Sequence, residues 1–110
     1  MKKKALNAGV SGKVPISDLI LYSIFSVNSG KEICNFERLM GECYNLFPQS
    51  FCFTNYEKWP DSRKLDRPLR TLRKQQLIKG DPATFFFLTK AGQKKAEEVA
   101  KIFRQSQLFR

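Results

Sequence analysis

The sequence from Asp61 to Gln76 runs Asp-Ser-Arg-Lys-Leu-Asp-Arg-Pro-Leu-Arg-Thr-Leu-Arg-Lys-Gln-Gln, and it can satisfy its two kinds of side chain in only one way. At about 100° per residue in a helix, Leu65, Leu69 and Leu72 fall on one narrow stripe. Arg63, Arg67, Arg70 and Lys74 fall on the opposite one. Such a segment must lie on the protein's own core through its leucines and hold its cations outward. A cationic ridge of this kind suits polyanions, although a leucine stripe opposite a charged stripe is also what any solvated amphipathic helix shows. Pro68 complicates the segment, because a proline inside a helix removes one backbone hydrogen bond. Either the helix bends at Asp66-Arg67, or it is properly helical only from about Arg67.

The remaining periodicities describe what that helix packs on. Pro15 suits a first helical turn, and Ile16, Leu19, Ile20, Ile24 and Val27 then recur at helical spacing until Ser29-Gly30. The near-continuous apolarity of this segment predicts burial on most sides. Glu32-Ile33-Cys34 reads as a short strand. Asn35 is a good N-cap for a helix whose stripe is Phe36, Leu39, Met40, Cys43, Leu46 and Phe47, and Pro48 ends it. Residues 48–60 have no helical period but carry Phe51, Phe53, Tyr56 and Trp59. The cost of leaving four rings in water predicts that this connection packs down on the core. Trp59-Pro60-Asp61-Ser62 reads as a loop closing on an N-cap. After the basic helix, Leu77-Ile78-Lys79 and Thr84–Leu88 read as two strands around the turn Gly80-Asp81-Pro82-Ala83. Thr89 can cap a last helix in which Ala91, Ala96, Val99, Ala100 and Phe103 share a face.

With 110 residues the chain suits one domain. The expected divisions are a flexible basic arm at 1–13, a folded domain at 14–107 and a tail at 108–110. The formal net charge is +10, and it is uneven. Residues 1–50 hold six basic and four acidic groups, and residues 51–110 hold fourteen and six. That asymmetry favours a localised basic surface. No apolar run approaches the roughly 18–20 residues needed to span a membrane, and the basic start has no sustained apolar stretch behind it, so it makes a poor signal peptide. Cys34, Cys43 and Cys52 are an odd number without close pairing. They read as buried free thiols in a reducing cytoplasm rather than as metal ligands or disulfides.

The order helix, short strand, helix, loop, basic helix, hairpin, helix is α+β and mostly α. The stretch Leu69-Arg70-Thr71-Leu72-Arg73-Lys74-Gln75-Gln76-Leu77-Ile78-Lys79-Gly80, followed by Phe86-Phe87-Leu88-Thr89-Lys90-Ala91-Gly92, resembles the winged-helix superfamily. In that superfamily a leucine–arginine pattern at the end of the recognition helix runs into Leu-Ile, a wing hairpin follows, and a Leu-Thr-x-x-Gly step opens the last helix. The similarity is closest over about residues 60–100. It implies a single winged-helix domain that binds double-stranded DNA, with 61–76 as recognition helix in the major groove, 77–88 as wing and 79–84 as wing tip. Carried over by position, the DNA-binding candidates are Ser62, Arg63, Lys64, Arg67, Arg70, Lys74, Lys79 and Thr84. Residues at the helix start reach base edges, which favours Ser62, Arg63, Lys64 and Arg67. Asp66 and Arg70, spaced i,i+4, are expected to form a surface ion pair, and Arg73 is displaced toward the leucines. The chain departs from the pattern in its long 48–60 connection and in Pro68.

No catalytic centre is expected. There is no histidine to serve as acid–base catalyst or as partner to a thiolate, no glycine-rich phosphate loop and no clustered carboxylates. No cofactor or metal is expected either. The leading expectation is a small cytoplasmic transcriptional regulator, with a possible homodimer through helix 90–107. The alternative is a winged-helix protein-interaction module or accessory subunit that uses the aromatic loop 48–60. Single-strand or RNA binding through the same basic face and aromatics is a third.

Overall fold

Residues 14–80 and 83–108 are described in the computed structural model of the chain. The arm expected at 1–13 and the last two residues of the tail lie outside them. Among the described residues four helices and five short strands follow one another: α1 (Ile16–Ser29), β1 (Cys34–Asn35), α2 (Phe36–Leu46), β2 (Cys52–Phe53), β3 (Tyr56–Pro60), α3 (Arg63–Lys74), β4 (Ile78–Lys79), β5 (Phe85–Leu88) and α4 (Lys90–Leu108). The described residues thus form a mostly helical α+β domain.

The core is built around α1, which packs against α2, α3, α4 and β5. Leu19, Ile20, Leu21, Ser23, Ile24 and Val27 are all buried, which is why its sequence is apolar on nearly every side. The Ser23 hydroxyl is satisfied by Leu19 O at 2.9 Å. From α2 come Leu39, Cys43 and Leu46, and Phe47 follows them inward. The Phe47 ring sits 5.5 Å from Phe103 of α4 and 6.4 Å from Phe51. Tyr22 meets Phe103 edge-on at 5.2 Å. A polar tie crosses the same region. Glu42, buried on α2, accepts from Arg38 Nη1 at 2.9 Å and from Ser26 Oγ of α1 at 2.6 Å. Arg38 reaches on to Glu32 at 3.0 Å. Glu32, and then Glu42, hold the Arg38 guanidinium above its ordinary pKa.

The helix ends explain the boundaries. Asn35 accepts from Arg38 N at 2.8 Å and caps α2. Thr89 caps α4: its hydroxyl oxygen accepts from Gly92 N at 3.0 Å. The first helix ends at Ser29 with Gly30 as its C-cap, as Ser29-Gly30 predicts, and the left-handed residue that follows is Lys31 (φ 61°). Helix α3 closes in the same way at Gln76 (φ 59°), with Leu77 N bonded to Leu72 O at 3.0 Å and Gln76 N to Arg73 O at 3.0 Å. This is a Schellman ending without the usual glycine. Left-handed backbone costs a side-chain-bearing residue about 1–2 kcal/mol, part of which a glycine loses again through unfolded-state entropy. Gln76→Gly should therefore stabilise the protein by about 0.5–1 kcal/mol, read as a rise of roughly 2–6 °C in a thermal melt.

Two antiparallel sheets complete the fold. Strands β1, β5 and β4 lie side by side in that order, with Cys34 opposite Phe86 and Ile78 opposite Leu88. Phe86 and Ile78 point into the core, while Phe85 and Phe87 alternate outward. In the β4–β5 hairpin Gly80 (φ +104°) is needed for the turn, because a Cβ there would meet Phe85 O at 1.9 Å. Asp81 and Pro82 of that turn lie outside the described residues. Residues 52–60, expected as a loop, instead form a second hairpin, β2–β3, with Phe53 opposite Tyr56, Cys52 opposite Pro60 and a bulge between.

Candidate nucleic-acid interface

Three contacts fix the β2–β3 hairpin to the start of α3. Asp61 N donates to Phe51 O at 2.7 Å, Lys64 Nζ donates to Cys52 O at 2.7 Å, and the Arg63 guanidinium stands 5.3 Å above the Phe53 ring. The carboxylate at the helix start belongs to Asp61. Its Oδ1 accepts from Arg63 N at 3.1 Å and from Arg63 Nε at 3.1 Å. Ser62, the expected cap, makes no such bond. The Arg63 side chain, above all, holds the Asp61 carboxyl below its ordinary pKa, and Asp61 in turn raises that of Arg63. The first turn is drawn tight by Lys64 N to Asp61 O at 3.2 Å and Leu65 N to Ser62 O at 3.0 Å. The helix therefore starts at Arg63 and carries Pro68 within it, which settles the open question of where it begins.

These contacts divide the sequence candidates. Arg63, though exposed, is paired with Asp61 and set over Phe53, half-buried Lys64 is bonded to the hairpin, and Ser62 is exposed beside them. Leu65, Leu69 and Leu72 are buried, so the opposite face of α3 is set outward. There Arg67, Arg70 and Lys74 are all exposed. The Asp66–Arg70 ion pair does not form, and none of Arg67, Arg70, Arg73 and Lys74 is in a salt bridge among the described residues. Together with Thr71, those four cations border one open depression of about 530 Å³. Lys79 is exposed on β4 and Thr84 just ahead of β5.

Two cations were not among the candidates. Arg73 is exposed despite its helical angle toward the leucines, because its long stem carries the guanidinium past them. It borders a second depression with Lys79 of β4 and Lys90 of α4. The charge run legible in the sequence ended with the helix, whereas this grouping needs three elements brought together.

The aromatic connection splits in two. Phe51 is fully buried, as expected, and Phe53 half-buried. Tyr56 and Trp59 do not pack down: they are 61% and 60% exposed and stack on each other at 5.1 Å and 16°. The bulged register of β3 turns them away from the core, and the mutual stack recovers part of the lost burial. A separate apolar patch, Ile33, Phe85 and Phe87, lies on the outer side of the three-stranded sheet.

Cys34, Cys43 and Cys52 are all free and buried. Burial pushes the Cys34 thiol up to about 12 and raises that of Cys43 as well, so neither is a ready nucleophile. On α4, Ala96, Val99 and Phe103 belong to the protein's own core, and Ile102 is the exposed large apolar residue. No helix among the described residues is long and apolar enough to cross a membrane. Comparison with models of known protein families, with curated proteins and with solved structures finds no match to this chain.

Proposed function

We propose that this is a winged-helix protein that binds double-stranded DNA, a small transcriptional regulator with α3 as its recognition helix and the β4–β5 hairpin as its wing. The observation that carries the reading is the exposed stripe Arg67, Arg70 and Lys74, in no salt bridge among the described residues, opposite the buried leucines of α3. The element order and the strand order β1-β5-β4 support it. Arg73, Lys79 and Lys90 extend the cationic surface toward the wing. Arginines on such a helix suit guanine edges in the major groove, and the lysines suit phosphates.

Titration of a fluorescent 20-base-pair duplex across 50–300 mM salt tests this proposal. Three to five neutralised phosphates give a log–log slope of about −2.7 to −4.5. Absence of binding at 50 mM, or a flat salt response, overturns it. A homodimer through α4 would use a face other than that of Ala96, Val99 and Phe103, which are buried within the domain. The protein-interaction alternative keeps one specific observation in its favour, the exposure of Tyr56 and Trp59. A binding module that bears an anchoring tryptophan would give a tight protein complex and no salt-dependent DNA binding.

A further inference from the structure

We infer that the stacked Tyr56–Trp59 pair is a platform for an unpaired nucleobase of the DNA that α3 holds. The inference rests on the DNA-binding reading above and assigns a second contact to the same molecule.

Exposed rings of this size have to be accounted for. Each stays about 60% in water although the other covers one of its faces, so the stack has open outer faces that another flat ring can extend. The platform is rigid. Phe51 anchors the base of the hairpin in the core and accepts from Asp61 N, Lys64 Nζ bonds Cys52 O of its first strand, and Phe53 pairs with Tyr56. Only Pro60, Asp61 and Ser62 separate Trp59 from α3, so the pair sits at the end of the helix that reaches base edges. One cation is at hand: exposed Lys58 borders the same depression as the two rings, with Thr54 and Asn55, and the exposed cations of α3 follow along the helix that starts at Arg63. An apolar peptide finds no apolar rim here. A nucleobase on a phosphate backbone finds both a π face and positive charge, the pairing that single-strand sites use. A base still stacked inside a duplex has no free face, so the occupant is a base at an overhang, bulge or mismatch.

Trp59 is the only tryptophan, so its emission reports this site alone. The full chain is titrated with a blunt duplex and with the same duplex carrying a three-thymine overhang. The overhang should bind about 5- to 150-fold tighter, as expected for stacking of one base, and should quench Trp59 more strongly. Trp59→Ala and Tyr56→Ala, both at exposed positions, should abolish the preference for the overhang and leave blunt-duplex affinity unchanged, while Trp59→Phe retains most of it. Equal affinity for the two DNAs with unchanged Trp59 emission overturns the inference and leaves the DNA-binding reading standing. Failure of the blunt duplex alone, with the overhang bound and Trp59 quenched, overturns the duplex reading and supports the platform. Trp59 emission that ignores both DNAs but shifts blue as protein concentration rises assigns the pair to a protein contact and overturns the inference.

Discussion

Gly92→Ala is expected to destabilise the protein by about 3 kcal/mol, at the top of the usual range for overpacking, and to lower the melting temperature by roughly 12–20 °C. A Cβ at this position would lie 1.8 Å from Leu77 O and 2.9 Å from Leu77 C. Both atoms are backbone, so no side-chain rotation can relieve the clash. Retreat of α4 would also strain its start, where Thr89 N bonds Leu77 O at 3.1 Å and the Thr89 hydroxyl lies 2.7 Å from Gln76 O. This junction ties the end of α3 to the start of α4, so a shift there disturbs the setting of the basic helix. Gly41 supplies the control with the opposite sign. It lies inside α2, and a Cβ there meets nothing within 4 Å, so Gly41→Ala should stabilise by about 0.5–1 kcal/mol through helix propensity. Melting by circular dichroism measures both. If Gly92→Ala melts like the parent protein, the close approach of α4 to Leu77 is not present in solution.

Which parts of this arrangement were legible in the sequence follows from how local their causes are. The stripes of α1, α2 and α3 are set by helical period alone, and Leu19, Leu39, Leu65, Leu69 and Leu72 are buried where that period puts them. The Asn35 and Thr89 caps depend on bonds three residues long, and both are present. The β2–β3 hairpin was not legible, because its strands are too short and bulged to show alternation. The fate of its neighbours depends on it. Lys64 is drawn to Cys52 O, and Tyr56 and Trp59 turn outward, only because the chain doubles back there. Ser62, where the loop was expected to close on a cap, yields that place to Asp61, whose backbone N the hairpin fixes on Phe51 O. The basic face shows the same division. Arg67, Arg70 and Lys74 could be read from angles on one helix, whereas the grouping of Arg73 with Lys79 and Lys90 spans three elements.

Replacing Arg67, Arg70 and Lys74 together by glutamine should weaken duplex binding by about 10²–10³-fold at 0.1 M salt and flatten the log–log salt slope by about 2.7, the release expected from three phosphates. Glutamine keeps the length and helix propensity of the originals closely enough that stability should hold. Nor does any buried group lose a partner, since these three cations form no salt bridge among the described residues. The informative comparison is Arg63→Gln. Arg63 lies on the same helical face in sequence, but its guanidinium is bound to Asp61 at 3.1 Å and set over Phe53 at 5.3 Å. If charge count alone governed binding, Arg63→Gln and Arg67→Gln would be equivalent. With Arg63 engaged and Arg67 open, Arg67→Gln should lower the slope by about 0.9 and Arg63→Gln by clearly less. Anisotropy titrations of the single and triple variants against one duplex measure all three values. Equal losses for Arg63 and Arg67 would mean that the hairpin does not hold Arg63 when DNA is bound. An unchanged slope in the triple variant would remove α3 from the interface altogether.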